Sequence, residues 1–377
     1  MMPDTLILSP ERQRQAREFA RKRREVFFLD TAITLGSLLL MTFTGLSLSL
    51  RELQVLPMPL AVSLGLMVML LGYSLLVFPL TFYGDFILPH RYGLLHQGWP
   101  DWLVDRVKGI ILELFIGSAV LIALYWLVER FPDIWWLLAA LMVFLLTLLL
   151  TGLAPIVILP IFFKFSPLRD AELVQRLSNL AGKAGVKICG VYAIDFSRKS
   201  TGANAALMGL GKTRRIALTD TMLQGPVDET EAVLAHELGH HRHGDIWKLM
   251  GIQSMAVLAG FYLLSLISRP LLPLAGYEGL GDLAALPWVG LFLFAYFLLV
   301  APLFNTYSRH LEREADRYAV ELTGKPQAFV DTMTRLTDQN LSEAEPPRWV
   351  ELLFYDHPPY FRRVAEARTY SYSTESK

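Results

Sequence analysis

Residues 134–162 read IWWLLAALMVFLLTLLLTGLAPIVILPIF, without one charged side chain. A hydrocarbon core about 30 Å thick takes about 20 mostly apolar residues as helix, so this stretch predicts a membrane span. Five more stretches meet the same rule, at residues 27–50, 59–83, 109–128, 247–271 and 286–303. Six apolar segments of that length exclude an ordinary soluble fold. The composition agrees: of 377 residues, 53% are hydrophobic and only 19% charged, against about 25% charged in a typical soluble domain.

Lys+Arg and Asp+Glu balance at 35 each. No global field draws the chain to nucleic acid, and charge arguments must be local. The single cysteine, Cys189, excludes an intrachain disulfide and any multi-cysteine metal site. A bound metal must therefore sit on His and carboxylate. A basic run at residues 12–24 precedes the first apolar stretch with no small-residue cleavage site after a short apolar core, which predicts a retained anchor.

Cytoplasmic flanks of membrane helices carry the Lys/Arg excess. Arg12, Arg14, Arg17, Arg21, Lys22, Arg23 and Arg24 place the N-terminus inside. The loop 84–108, with Arg91, Arg106 and Lys108, and both long polar segments then fall on the cytoplasmic side. The expected organisation is a basic cytoplasmic segment at 1–26, four spans within 27–162, a first polar part at 163–246, a transmembrane hairpin at 247–303 and a second polar part at 304–377. In the first polar part, 170–184 reads as an amphipathic helix stopped by Gly185, and 186–195 as a strand. Residues 203–209 and 214–219 read as a hairpin around Gly209, Leu210, Gly211 and Lys212. The second begins with a helix at about 305–322 and ends in a polar tail. The fold class is thus a mainly α membrane protein, six transmembrane helices bearing an α+β unit with a small sheet, integral to a plasma, inner or endoplasmic reticulum membrane.

From Glu229 the sequence reads ETEAVLAHELGHHRHGD, which holds His236, Glu237 and His240 in H-E-x-x-H spacing. On a helix, positions i and i+4 share a face, so both imidazoles can reach one zinc ion while Glu237 serves as base to the activated water. With 8 His in the chain, about 0.01 such matches are expected by chance. Zinc needs a third protein ligand and an open position. The segment SRHLEREADRYA, from Ser308, offers Glu312 and Asp316 on one helical face and Glu314 on another. Glu312 is the candidate ligand, and Asp316 the candidate to orient a ligand His through its ring N–H. A charged, solvated helix is the alternative reading of that segment.

The chain resembles the type I CAAX prenyl protease family of integral-membrane zinc metalloproteases. The matching pieces are YGDFILPHRYG from Tyr83, PIFFKFSPLRD from Pro160, SRKSTGANAALMGLGKTRRIALTDTML from Ser197, the H-E-x-x-H helix, NTYSRHLEREAD from Asn305 and YDHPPYFRR from Tyr355. The resemblance implies a membrane-embedded endopeptidase with one zinc per chain on His236, His240 and Glu312 and with Glu237 as catalytic acid and base. It further implies that Asn204, with Ala205, belongs to an edge strand that aligns the substrate, and that His357 and Arg363 hold substrate or oxyanion. The expected partners are a peptide or protein substrate, lipidated or membrane-bound, and the bilayer, with no nucleic acid. The family often has Ser-Asn-Ala-Tyr where this chain has Ala203, Asn204, Ala205 and Ala206.

Three other classes compete. A heat-shock HtpX-type quality-control protease has fewer spans and lacks the segment from Tyr83 to Gly93. A transporter would explain six spans but not H-E-x-x-H. A site-two type protease needs an Asp ligand in an Asp-Gly context, and the chain has no Asp-Gly dipeptide.

Overall fold

The computed structural model describes residues 7–209 and 211–375. Of the expected features, Leu210 of the hairpin turn, the start of the basic segment and the end of the polar tail lie outside the described residues. Four long helices open the chain: α1 (Pro10–Phe43), α2 (Met58–Arg91), α3 (Trp99–Arg130) and α4 (Trp135–Phe162). Strand β1 (Phe165–Pro167), helix α5 (Ala171–Lys183) and strands β2 (Val191–Ile194), β3 (Ala205–Met208) and β4 (Arg215–Thr219) follow. The chain then forms α6 (Val227–His243), α7 (Asp245–Leu274), α8 (Leu286–Thr323), α9 (Pro326–Gln339), α10 (Arg348–Phe354) and α11 (Tyr360–Glu375).

Helices α1 to α4, α7 and α8 are long and apolar enough to cross a membrane. In α3 and α4 only 6% of the most apolar 18-residue window is covered by protein. Leu75, Phe115 and Leu299 stand exposed on such helices. Apolar surface of that extent is stable only against lipid.

Several element boundaries differ from those expected. The first span was expected to reach residue 50, but α1 stops at Phe43 because Gly45 takes φ +76°, and a 3₁₀ stretch, Leu46–Val55, follows. The basic run lies within α1 itself. Contacts on both sides of it dock α1 on the second polar part: the Ser9 N–H before it donates to Asp338 (2.8 Å) and Arg24 at its end pairs with Glu343 (3.0 Å). Residues 84–108, expected as a loop, are mostly helical. Helix α2 widens into a π-turn at Tyr83–Ile87 and continues to Arg91, then stops at Gly93 with φ +68°. A matching π-turn, Ala154–Ile158, lies in α4. Each ends two residues before a proline, Pro89 or Pro160, where the wider turn accommodates a residue with no N–H to give. The helix expected at about 305–322 is the polar half of α8, a single helix of 38 residues. The polar tail is helical through Glu375.

The sheet order is β1-β2-β4-β3, with β3 antiparallel to β4 at one edge. Ile216 and Leu218 on β4 are fully buried and pack with Leu177 of α5, Leu234 and Leu238 of α6 and Phe329 of α9 in one core. A second core lies among the spans, where Trp135 of α4 meets Phe261 and Leu264 of α7 and Trp288 of α8.

Helices α6 and α8 pack through a glycine. A Cβ on Gly239 would lie 3.0 Å from the Ala315 Cα and 3.2 Å from its carbonyl oxygen. Backbone gives way poorly, so Gly239→Ala is expected to destabilise the chain by about 1–3 kcal/mol, as overpacking does. On α5, Gly182 has nothing within 4 Å of its absent Cβ, and Gly182→Ala gains helix propensity of up to about 1 kcal/mol. Thermal denaturation in detergent should therefore lower the midpoint of the first variant and hold or raise that of the second. Equal midpoints would contradict this packing.

Candidate metal centre

Helix α6 starts after Pro226 with Asp228 and Glu229 in its first turn, where carboxylates suit the positive helix end, and stops at Gly244 with φ +70°. Ala232, Leu234, Ala235 and Leu238 are buried and hold it against the sheet. This leaves His236 and His240 on the face toward α8. The close approach at Gly239 brings Glu312 and Asp316 of α8, both buried, onto the same two rings.

The His236 and His240 Nε2 atoms are 3.1 Å apart. The Glu312 carboxylate lies 3.3 Å from the first and 3.1 Å from the second. The other ring nitrogens are engaged from behind. His236 Nδ1 is 2.8 Å from Asp316, and His240 Nδ1 is 3.0 Å from Asp245. An ionised carboxylate only accepts, so each Nδ1 carries a proton, and each Nε2 is turned toward Glu312, where it can give a lone pair to a metal ion or hold a proton. Two ring nitrogens and a carboxylate thus converge, with one ligand atom from each residue within 4.8 Å of the others. The Glu312 Oε2 atom is buried without a hydrogen-bond partner. Such a cluster needs a positive charge at its centre. In the chain alone that demand falls on protons: burial disfavours a charged His236, but the Asp316 and Glu312 carboxylates beside it outweigh burial and push its pKa up to about 10. Two imidazoles and a carboxylate fit a divalent metal equally well, as donors of the type zinc takes.

Glu237 is partly exposed, has no hydrogen bond or close ion pair among the described residues, and adds to the negative field that favours the charged Arg363. Arg363 of α11 is half of a two-bond ion pair with Asp316, at 2.6 and 2.8 Å, and its Nη2 lies 3.5 Å from His236 Nδ1. His357 reaches the cluster from the loop before α11: its Nε2 is 3.2 Å from Glu312, and its Nδ1 is 2.8 Å from Asp356. Glu314 faces away, 3.7 Å from His310. Asn204 and Arg363 are too far apart in sequence to suggest a common site, yet both line one cavity of about 700 Å³ with His357, Tyr360 and Asn340. Asn204 immediately precedes edge strand β3, is exposed, and accepts the Ala205 N–H on its own Oδ1 (2.9 Å). The Ala205 methyl is buried in the core, so only its backbone is left for any ligand.

Asp245 was not singled out by sequence reasoning. It is 1% exposed, begins α7, and holds His240 while Lys248 (2.9 Å) holds it. A carboxylate five residues after the second His, across a glycine stop, was the signal available.

Family comparisons agree with this geometry. The model described as "Peptidase family M48" matches residues 167–371, and the one described as "CAAX prenyl protease N-terminal, five membrane helices" matches residues 2–164. An "Uncharacterized metalloprotease YhfN" of Bacillus subtilis is 28% identical over 96% of this chain and 86% of its own length. A "CAAX prenyl protease 1 homolog" of Oryza sativa is 29% identical over 76% of this chain and 68% of its own. In fold, the chain superposes on the crystal structure of S. mikatae Ste24p with a TM-score of 0.85, at 23% identity, over 96% of this chain and 89% of that one. The chain belongs to peptidase family M48 and is a membrane metalloprotease.

Proposed function

We propose that the protein is a zinc endopeptidase that cuts peptide bonds of membrane-associated substrates on the cytoplasmic side of its membrane. The observation that carries this reading is the pair of imidazoles whose Nδ1 atoms are tied down by Asp316 and Asp245, so that both Nε2 atoms face Glu312. His236, His240 and Glu312 would hold one zinc ion per chain. When bound, the ion supplies Lewis acidity to water and to the scissile carbonyl.

The remaining steps belong to the chain. An extended substrate can add to the free edge of β3 beside Asn204, where backbone pairing fixes a peptide without demanding one side chain. Glu237 takes the proton of the attacking water and returns it to the leaving nitrogen. With Asp356 accepting at Nδ1, His357 presents Nε2–H toward the oxyanion from the cavity wall. Arg363 is a positioning residue, since its guanidinium fixes the carboxylate that fixes His236. The spans, 27–162 and 247–303, serve as the membrane unit and the parts 163–246 and 304–377 as one protease unit. Several relatives are named CAAX prenyl protease 1, which supports a lipidated peptide as the substrate class.

Metal content separates ligands from the base. His240→Ala and Glu312→Ala protein should lose zinc on dialysis against a mild chelator, whereas Glu237→Gln should keep its zinc and its fold but lose hydrolysis. Full stoichiometry in either alanine variant, or near-normal turnover in the glutamine variant, would overturn the assignment.

Asp245→Ala is expected to weaken zinc binding by about 10- to 100-fold, the usual cost of removing the partner that orients a ligand His. Competition with a calibrated chelator measures it, and unchanged affinity would show that His240 is oriented without Asp245.

Sidedness follows from the Lys/Arg distribution. With Cys189 replaced, single cysteines at Asn179 and Glu345 should resist an impermeant thiol reagent in intact cells, and one at Glu278, in the exposed turn between α7 and α8, should react. The reverse pattern would place the centre outside.

A further inference from the structure

A second polar cavity lies beside α8 one turn nearer the span than the metal cluster, where that helix leaves the membrane. It has a volume of about 170 Å³ and is lined by Thr306, Arg309 and Arg313 of α8, Arg348 and Glu351 of α10, and Arg362 of α11, with Leu352 at its rim. Four guanidinium groups thus face one carboxylate. Glu351 is buried and taken by Arg362 (3.0 Å). Arg309 is also buried and spends its donors on the Glu351 and Tyr355 carbonyls and on the Thr306 hydroxyl. Arg313 and Arg348 form no ion pair or hydrogen bond with any described residue. Arg348 has no partner carboxylate and Arg313 is balanced only by the electrostatic attraction of Glu366 on α11, so the cavity keeps guanidinium groups in excess and asks for an anion whose oxygens match their planar forks.

The depth of the cavity identifies the source. Helix α10 lies at the membrane boundary: Phe354 packs edge-on against Phe27 and Phe28 at the start of the first apolar stretch, with ring centroids 5.0 and 5.8 Å apart. Asn305, two residues past exposed Leu303, donates to the Leu353 carbonyl (2.9 Å). Trp349, Leu352 and Leu353 of the same short helix are exposed, as is Phe361 at the start of α11. Apolar and aromatic side chains outward with arginines between them is the pattern of a helix lying in the lipid interface. We infer that the arginine cavity between α8, α10 and α11 binds the phosphate of an anionic phospholipid whose acyl chains lie against the exposed side chains of α10. A basic pocket at the headgroup level of a span is a known way of holding such lipids. Arg309 ties the pocket to the Tyr355 carbonyl, directly before Asp356 and His357, so the lipid would brace the loop that faces the metal cluster.

The test uses the full chain in detergent, titrated with phosphatidylglycerol and separately with phosphatidylcholine, with bound lipid counted by native mass spectrometry. Wild-type protein should retain phosphatidylglycerol, the Arg313→Gln/Arg348→Gln variant should bind it roughly tenfold more weakly, and phosphatidylcholine adducts should be equal in both. Inorganic phosphate in excess should not displace the bound lipid. Arg348→Gln alone, an exposed position, should give a smaller loss and guards against a folding defect in the double variant. Equal phosphatidylglycerol binding in all three proteins would overturn the site. Displacement by inorganic phosphate would assign the cavity to a soluble anion and overturn the lipid.

Discussion

Everything in this chain that bears on chemistry depends on the contact between Gly239 and Ala315. Helices α6 and α8 are separated in sequence by a membrane hairpin, and they meet where one has no side chain. That approach sets two imidazoles from one helix against two carboxylates from the other. With a larger residue between them, the Nε2 atoms and Glu312 could not sit 3.1 and 3.3 Å apart. The glycine lies inside the H-E-x-x-H motif, at one of its unspecified positions, so the motif carries a packing requirement as well as its ligands.

Behind the cluster lies a chain of alternating charge: Glu312, His236, Asp316 and Arg363 on one side, and His240, Asp245 and Lys248 on the other. Burying any one of these alone would cost several kcal/mol. Together they are tolerable because each carboxylate has a cationic or N–H partner, apart from the inward oxygen of Glu312. The geometry therefore leaves one electrostatic debt at the point where the two ring nitrogens converge. The interior is arranged so that satisfying it with a cation stabilises the packed helices as well.

Much of this was legible in sequence because the signals are set by solvent and by helical period. A bilayer demands length, and six apolar stretches show it. The spacing of His236 with His240, and of Glu312 with Asp316, follows from 3.6 residues per turn. What was not legible depends on tertiary context. Nothing local says that α2 should run through Gly84 to Arg91, since that continuation rests on a π-turn and on Val26 filling the space beside Gly84. Nor does composition say where a span ends and a soluble helix begins when, as in α8, no break separates them. Gly45 was visible but undervalued against the apolar run around it. Asp245 was hidden because a helix stop intervenes between it and His240, and helical spacing rules do not reach across a stop. Arg363 lines the cavity as its expected role at the substrate requires, and it also binds Asp316 and approaches His236, a relation no sequence spacing encodes.

The continuity of α8 also fixes where chemistry takes place relative to lipid. At about 1.5 Å per residue, Glu312 stands roughly 13 Å along the axis beyond Leu303, the last exposed apolar residue of the span. That distance places the cluster just past the headgroup region and not far out in the aqueous phase. Because one uninterrupted helix joins the lipid-facing segment to the ligand, the height of the cluster is set by bilayer thickness and not by a flexible linker. Pro302 is the one point within that stretch where an N–H is missing and the helix can bend. Under the proposed reading, a substrate held to the membrane needs only a few extended residues, at about 3.3 Å each, to bring a peptide bond level with His236 and His240. A soluble substrate would have no such fixed approach, so the same rigidity that assembles the ligands also selects for peptides anchored nearby.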